Sequence, residues 1–217
     1  MFRDCFGTGV AGHELQNHCQ KRHELEKIVP MKNLQIQTCK LLLVLAGLSM
    51  ATGAAAQETR TEITNTTAAD AAPNNPAVPD TYVISGQFER VLVLRFKYET
   101  DLLTGLERMV SQQKIRNGVI LSGIGSVRGY RVHSVSNRTF PSHDIFVSDP
   151  TAPADLVSMN GYVINGRVHA HVTFANADKA FGGHLEKGTE VFTFAVVTIG
   201  VLDDKTDLSR VDDKSYR

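Results

Sequence analysis

The dipeptide Asn165-Gly166 and the apolar runs on either side of it constrain the fold of this 217-residue chain most strongly. The runs, 155–164 and 167–175, have the composition and length of β-strands. Asn-Gly between two such runs is the strongest short signal for a two-residue type I′ hairpin turn. A further run, 190–201, alternates Phe, Thr, Ala and Val. The C-terminal half of the chain is therefore predicted to be an antiparallel sheet.

The N-terminal half of the same region predicts one amphipathic helix among further strands. Thr100 is placed to cap this helix, and its apolar residues recur at helical spacing, at Leu102, Leu103, Leu106, Met109 and Val110. Strand patterns precede and follow the helix, at 82–85, 90–97, 119–124 and 130–136. Residues 137–153 are predicted to be a surface loop. We therefore expect an α+β fold, mostly antiparallel sheet with one main helix, in a single domain spanning residues 80–202.

Residues 31–56 have the layout of a secretory signal peptide. Lys32 and Lys40 flank a polar lead, an apolar run follows, and small residues continue to Ala56. The apolar run is much shorter than the ~20 residues that a membrane-spanning helix needs. We therefore expect export to the periplasm or outside the cell, without a permanent membrane anchor.

The remaining segments outside the domain are predicted to lack stable structure. Residues 1–30 form an upstream extension, and whether translation starts at Met1 or Met31 stays open. Their Cys and His residues lack the paired spacing of a structural zinc site. Residues 57–79, rich in Thr, Ala, Asn and Pro, are expected to be a flexible linker. Residues 203–217, dense in Asp, Lys and Ser, are expected to be a frayed tail.

The charge balance argues against nucleic acid as a partner. From Gln57 onward the chain has 17 Lys and Arg against 19 Asp and Glu, a net charge of −2. Proteins that bind the phosphate backbone need a basic surface, because their affinity comes largely from the release of counterions. Binding to nucleic acid is therefore not expected.

Three histidines, His169, His171 and His184, are spaced in a way that indicates a metal site. Residues two apart on a strand project from the same face roughly 6–7 Å apart, so His169 and His171 can converge on one ion. His184 follows Gly182-Gly183, and a glycine pair lets the chain pass close to a neighbouring strand. Three imidazoles suit a divalent ion such as Zn²⁺, with one coordination position left open. The alternative is that these histidines are polar residues on the solvent side of a sheet.

These motifs resemble those of a known family. The run 155–202, with His-x-His followed by Gly-Gly-His-Leu and a closing strand, resembles the C-terminal half of the plant-and-prokaryote conserved (PPC) domain in its bacterial form. The stretch Ser-Gly-Ile-Gly-Ser at 122–126 is similar to the family's N-terminal half, so the resemblance covers about 82–202. It implies an α+β fold that assembles as a homotrimer, with His169, His171 and His184 as a metal-binding unit. Plant members carry an AT-hook and are known as DNA-binding; this sequence has no such motif.

The function expected from these observations is an exported metal-binding module, with zinc as the preferred ion and a possible small anionic ligand in the open position. Glu186 and Glu190 lie near His184 in sequence and could act on a metal-bound water, so a metal-dependent hydrolase or lyase is an alternative. A DNA-binding protein, by family analogy, is a further alternative. His133 and His143 show no ligand spacing and are expected to be solvated or locally hydrogen-bonded.

Overall fold

The computed structural model describes residues 57–64, 67, 71 and 74–216. The elements follow in the order β1 (Thr59–Ile63), β2 (Phe88–Lys97), α1 (Leu102–Gln112), β3 (Gly118–Val135), β4 (Asp144–Asp149), β5 (Ala154–Ile164), β6 (Arg167–Ala175), β7 (Ala180–Leu185) and β8 (Glu190–Leu202). All pairings between these strands are antiparallel. The prediction of a mostly antiparallel sheet with one main helix is therefore confirmed.

Strand β3 organises the sheet because it pairs with four other strands. Its first half lies between β5 and β8, and its second half lies between β4 and β7. The strand order is β1-β4-β3-β5-β6-β7, β7 then returns to β3, and β2 pairs with the other edge of β8. Strands β3, β5, β6 and β7 therefore form a closed ring, and closure removes the free edges that such strands would otherwise expose.

The hairpin of β5 and β6 has the turn that its sequence predicts. Asn165 and Gly166 have φ angles of 49° and 79°. A type I′ turn needs positive φ at both central residues, which Asn and Gly adopt most readily. The two strands pair along their length with one register shift, between Leu156 and Ser158.

The core lies between helix α1 and one face of the sheet. Leu102 and Leu106 are fully buried, and Val110 is 2% exposed. They belong to one apolar cluster that also contains Phe96 of β2 and Phe174 of β6. Burying a Leu, Val or Phe side chain contributes about 1.5–3 kcal/mol each to folding, before the cost of ordering the chain. Because side chains alternate along a strand, every second residue of these strands points to the opposite face of the sheet.

Helix α1 is capped by Asp101, whereas the sequence predicted Thr100. The Asp101 side chain accepts hydrogen bonds from the backbone N–H of Thr104, at 2.8 Å, and of Gly188, at 2.6 Å. A carboxylate at the cap satisfies a backbone donor that the first helical turn leaves free. The bond to Gly188 also ties the start of α1 to the segment between β7 and β8.

The strands of the structure differ from the strands predicted from the sequence in three places. Residues 137–153 were predicted to be a loop, but they contain β4, which pairs with β3 on one side and with β1 on the other. The runs 119–124 and 130–136 form a single strand, β3, with register shifts between Ile120 and Gly129. Residues 82–85 form no strand. Each difference depends on which other segment pairs with the run. The alternation of apolar and polar residues within a run does not specify that partner.

Two of the three segments predicted to be unstructured, 57–79 and 203–217, contact the domain. Within 57–79, β1 pairs with β4, and Glu58 accepts a 2.8 Å hydrogen bond from the Tyr130 hydroxyl. Within 203–217, Thr206 and Leu208 are 4% and 5% exposed, so this tail is not frayed along its length. Asn117, itself 2% exposed, donates to the backbone oxygen of Thr206 at 2.7 Å. These hydrogen bonds and buried side chains explain why polar composition alone misjudged both segments.

The predicted signal peptide, 31–56, and the upstream extension, 1–30, lie outside the described residues. Among the residues that the structure does describe, no helix has the length and apolar character needed to cross a membrane.

Candidate metal centre

Histidines from three neighbouring strands lie side by side on one face of the sheet. His133 of β3 is the cross-strand partner of His184 of β7, and His184 is in turn the partner of His171 of β6. Residues directly opposite each other in an antiparallel pair project to the same face. His169 lies two residues before His171 and shares that face. We call His133, His169, His171 and His184 the histidine cluster.

The rings of the histidine cluster are close enough to share a ligand. Ring centres are 4.5 Å apart for His133 and His184, 4.8 Å for His169 and His184, and 5.3 Å for His171 with each of His169 and His184. Two imidazoles bound to one tetrahedral ion, at nitrogen–metal distances of about 2.0–2.1 Å, have ring centres about 5 Å apart. The ring centres of His169, His171 and His184 lie at comparable separations, 4.8–5.3 Å.

The glycine pair before His184 makes this spacing possible. A Cβ on Gly183 would lie 2.4 Å from the backbone oxygen of His133, and one on Gly182 would lie 2.0 Å from that of Val172. Both separations are far below van der Waals contact. Strand β7 can therefore occupy the space between β3 and β6 only because these two positions have no side chain.

Hydrogen bonds orient three of the four rings through their Nδ1 atoms. The Nδ1 atom lies 3.0 Å from an Asp212 carboxylate oxygen in His169, 3.1 Å from the Leu185 carbonyl oxygen in His184, and 2.7 Å from a Glu186 carboxylate oxygen in His133. A carbonyl or carboxylate oxygen accepts a hydrogen bond, so each neutral ring carries its proton on Nδ1 and a lone pair on Nε2. The Nε2 atoms are therefore the ones available to a metal.

The closest pair of ring nitrogens has the separation of two ligands on one ion. Nε2 of His169 lies 3.3 Å from Nε2 of His171. Two nitrogen ligands at about 2.0–2.1 Å from a tetrahedral zinc ion are also about 3.3 Å apart. This pair is therefore arranged for chelation.

The electrostatic surroundings favour the neutral form that binds metals. Burial, together with the neighbouring histidines, lowers the pKa of His171 and of His184. Glu186 opposes this effect at His184, but its influence on the pKa there is smaller than that of burial or of the neighbouring histidines. The His169, His133 and His184 side chains remain 32%, 22% and 22% exposed, so an ion can reach them from solvent. The lowered pKa favours the neutral, metal-binding form of His171 and His184.

A second group of possible metal ligands shares His184 with the group formed by His169, His171 and His184. Among the residues that the structure describes, the group whose ligand atoms all lie within 4.8 Å of one another is His133, His184 and Glu186. The structure therefore brings the three sequence-predicted ligands together and adds His133 and Glu186 beside them. His133 carries no spacing signal, because it reaches His184 only through the pairing of β3 with β7. The other glutamate considered from sequence, Glu190, pairs instead with Arg128 at 3.4 Å.

His143 lies apart from this group. Its Nδ1 atom is 3.9 Å from Glu62 of β1, in the loop between β3 and β4. This contact joins the loop to the edge strand β1.

Comparison with known proteins shows that most of this domain matches one protein family. Residues 83–203 match the family model of the Plants and Prokaryotes Conserved (PCC) domain. A curated relative, the bifunctional protein GlmU of Synechococcus sp. strain JA-3-3Ab, is 28% identical over 111 residues, which are 51% of this chain and 17% of that protein. The GlmU of strain JA-2-3B'a(2-13) is 27% identical over 111 residues, 51% of this chain and 16% of that protein. The chain thus spans less than a fifth of the length of these relatives.

Solved structures with a similar fold include two proteins from archaea. The metal-containing protein AF0104 from Archaeoglobus fulgidus is 22% identical, with a TM-score of 0.47 over 57% of this chain and 86% of that chain. A plant- and prokaryote-conserved protein from Pyrococcus horikoshii is 22% identical, with a TM-score of 0.46 over 57% and 85%.

The close approach of β7 to β3 can be tested by Gly183→Ala. The added methyl group would meet the His133 backbone oxygen at 2.4 Å. We expect the free energy of unfolding in urea to fall by about 2–3 kcal/mol, since strands must separate to admit it. Gly118→Ala is the comparison, because its nearest heavy atom is 3.1 Å away and the loss should be smaller. Equal stabilities for Gly183→Ala and the wild type would show that this approach is not required.

Proposed function

The chain belongs to the Plants and Prokaryotes Conserved (PCC) domain family, and on that premise we propose that it binds one divalent metal ion through His169, His171 and His184. The observation that carries this proposal is the spacing of the three rings, with centres 4.8–5.3 Å apart on one sheet face. Zinc is the ion that a set of neutral imidazoles favours, since it accepts tetrahedral nitrogen coordination.

The fourth coordination position is open to a further donor. Three histidines would leave one position of a tetrahedral ion to water or to a small anion. Glu186 is held by its hydrogen bond with His133 at 2.7 Å and lies 3.6 Å from Nδ1 of His184. A small carboxylate or phosphate ligand would displace water at this position.

Metal content of alanine variants tests this ligand set. The wild-type protein should hold one equivalent of zinc per chain by elemental analysis, and His169→Ala, His171→Ala and His184→Ala should each lose it. His143→Ala is the matched control and should keep the ion, because His143 lies outside the histidine cluster. If the ion instead uses His133, His184 and Glu186, then His133→Ala and Glu186→Gln would lose zinc while His169→Ala and His171→Ala retain it. That result would refute the proposed set.

A second candidate function is a metal-dependent hydrolase or lyase, and the position of Glu186 favours it. A bound zinc ion supplies Lewis acidity to such chemistry. Glu186, oriented by His133, would accept a proton from a water or substrate at the site. Zinc-loaded wild type should then hydrolyse activated carboxylic or phosphoric esters, and Glu186→Gln should lower the rate about 100-fold or more while keeping its zinc. Equal rates for the two proteins would remove Glu186 from any reaction.

We also propose that the protein is exported, on the strength of the signal-peptide pattern at 31–56. Export would separate it from the chromosome, and a net charge of −2 after residue 56 offers little attraction for a phosphate backbone. DNA binding, the remaining alternative, is therefore disfavoured. Salt-dependent binding of duplex DNA by the mature protein would reverse this ranking.

A homotrimer is proposed for the assembled protein, with contacts through an exposed apolar surface. The residues of this surface lie on the sheet face opposite to α1 and are more than 40% exposed: Val91, Val93, Ile124, Tyr162 and Phe194. Tyr162 is the cross-strand partner of His169, so the surface adjoins the histidine cluster. Contiguous exposed apolar residues of this kind mark protein–protein contacts.

Sedimentation equilibrium of a charged variant tests this assembly. Wild type should sediment with three times the mass of one chain, and Val93→Glu should sediment as a monomer, because it places a charge among these apolar residues. Val83→Glu is the control, since Val83 is 88% exposed and precedes β2. A monomeric wild type, or a trimer that survives in Val93→Glu, would contradict the proposal.

A further inference from the structure

The C-terminal tail contributes a carboxylate to the histidine cluster. Asp212 lies 3.0 Å from Nδ1 of His169 through its Oδ2 atom, and the Arg167 guanidinium donates to the same oxygen. We infer that Asp212 is the positioning residue that turns Nε2 of His169 toward the ion, and that it thereby couples the tail to metal binding. The inference rests on the proposed function, because it concerns how one of the proposed ligands is held.

The chemistry of the contact determines which nitrogen of His169 faces the cluster. An ionised carboxylate only accepts hydrogen bonds, so the single proton of the neutral ring is on Nδ1. The lone pair is then on Nε2, which lies 3.3 Å from Nε2 of His171. Metal-ligating histidines commonly donate their other ring N–H to a carboxylate in this way, and the partner fixes ring orientation and raises ligand basicity.

Asp212 is itself held in place. Its side chain is only 19% exposed, and the Arg167 charge compensates its own. The tail before it is anchored by the buried side chains of Thr206 and Leu208. A backbone hydrogen bond from Val211 to Leu208, at 3.0 Å, closes a turn next to Asp212. The carboxylate therefore approaches His169 from an ordered segment.

His169 differs from the other two oriented rings in which part of the chain supplies its partner. His184 donates to the carbonyl oxygen of the next residue, Leu185, and His133 is held by Glu186 within the sheet region. The partner of His169 comes from the tail after β8. If the tail is displaced, His169 alone loses its orientation. Coupling of this kind is reciprocal, so metal binding must stabilise the docked tail by the same free energy.

The test compares Asp212→Asn with Asp213→Asn in the full domain. Both substitutions remove one negative charge from the tail, but the Asp213 side chain accepts from the backbone N–H and the hydroxyl of Ser215, within the tail itself. Affinity for Co²⁺ and Zn²⁺ is measured by titration calorimetry, and thermal unfolding by circular dichroism verifies that each variant is folded. We expect about 10-fold weaker metal binding in Asp212→Asn, the usual effect of removing such a partner, and no change in Asp213→Asn.

A second readout does not require metal. In ¹⁵N-resolved NMR spectra of the metal-free wild type, His169 should appear as the tautomer protonated on Nδ1. Asp212→Asn should show a mixture of both tautomers at His169, while His184 keeps the Nδ1–H form. A loss of packing alone would not change one ring and spare the other.

Hydrogen exchange measures the reciprocal effect on the tail. Backbone amides of 205–216 should exchange more slowly when wild type is loaded with Zn²⁺, and this protection should be absent in Asp212→Asn. Equal affinities of wild type and Asp212→Asn, or equal losses in both variants, would overturn the inference and leave the metal site intact. A wild-type protein that binds neither ion would overturn the proposed function and the inference with it.

Discussion

The return of β7 to β3 is the constraint on which the rest of the site depends. Neighbouring strands in a sheet lie about 4.8 Å apart, so a residue of β7 between β3 and β6 has cross-strand neighbours on both sides. Gly182 and Gly183 permit this close pairing, because a Cβ on either would lie within 2.4 Å of a backbone oxygen. The histidine cluster is thus a consequence of backbone pairing. The backbone thus positions these side chains, and such preorganisation would favour the metal binding that we propose.

Because side chains alternate along a strand, the residues that stabilise the core and the residues of the histidine cluster lie on opposite faces of the sheet. On β6, Val168, Ala170 and Val172 are buried in the core with α1, while His169 and His171 point to the opposite face. The apolar residues are close-packed in the core, whereas the histidines lie outside the core and do not have to fit its packing. A binding site built on a rigid sheet in this way can change its donors at little cost to the fold.

Both ends of the described chain return to the sheet beside this site. Strand β1 extends the sheet through β4, and Glu58 reaches Tyr130 on β3. The tail after β8 brings Asp212 to His169. The buried Leu208 side chain anchors the tail, and hydrogen bonds and ion pairs with the folded domain hold both segments further. Charged hydrogen bonds of this type contribute about 1.5–3 kcal/mol each, enough to hold a short segment.

The sequence by itself determined the hairpin at Asn165-Gly166, the apolar stripe of α1, and the placement of His169 and His171 on one face, because turn chemistry and side-chain periodicity are local properties. It also singled out His184 by the two glycines before it. Only the tertiary structure decided that His133, Glu186 and Asp212 adjoin these histidines, and that β4 and β1 are strands. The contacts of His133 with His184, of Asp212 with His169 and of β1 with β4 join segments far apart in the chain. Such pairings depend on the global packing of the sheet, which no local pattern of residues encodes.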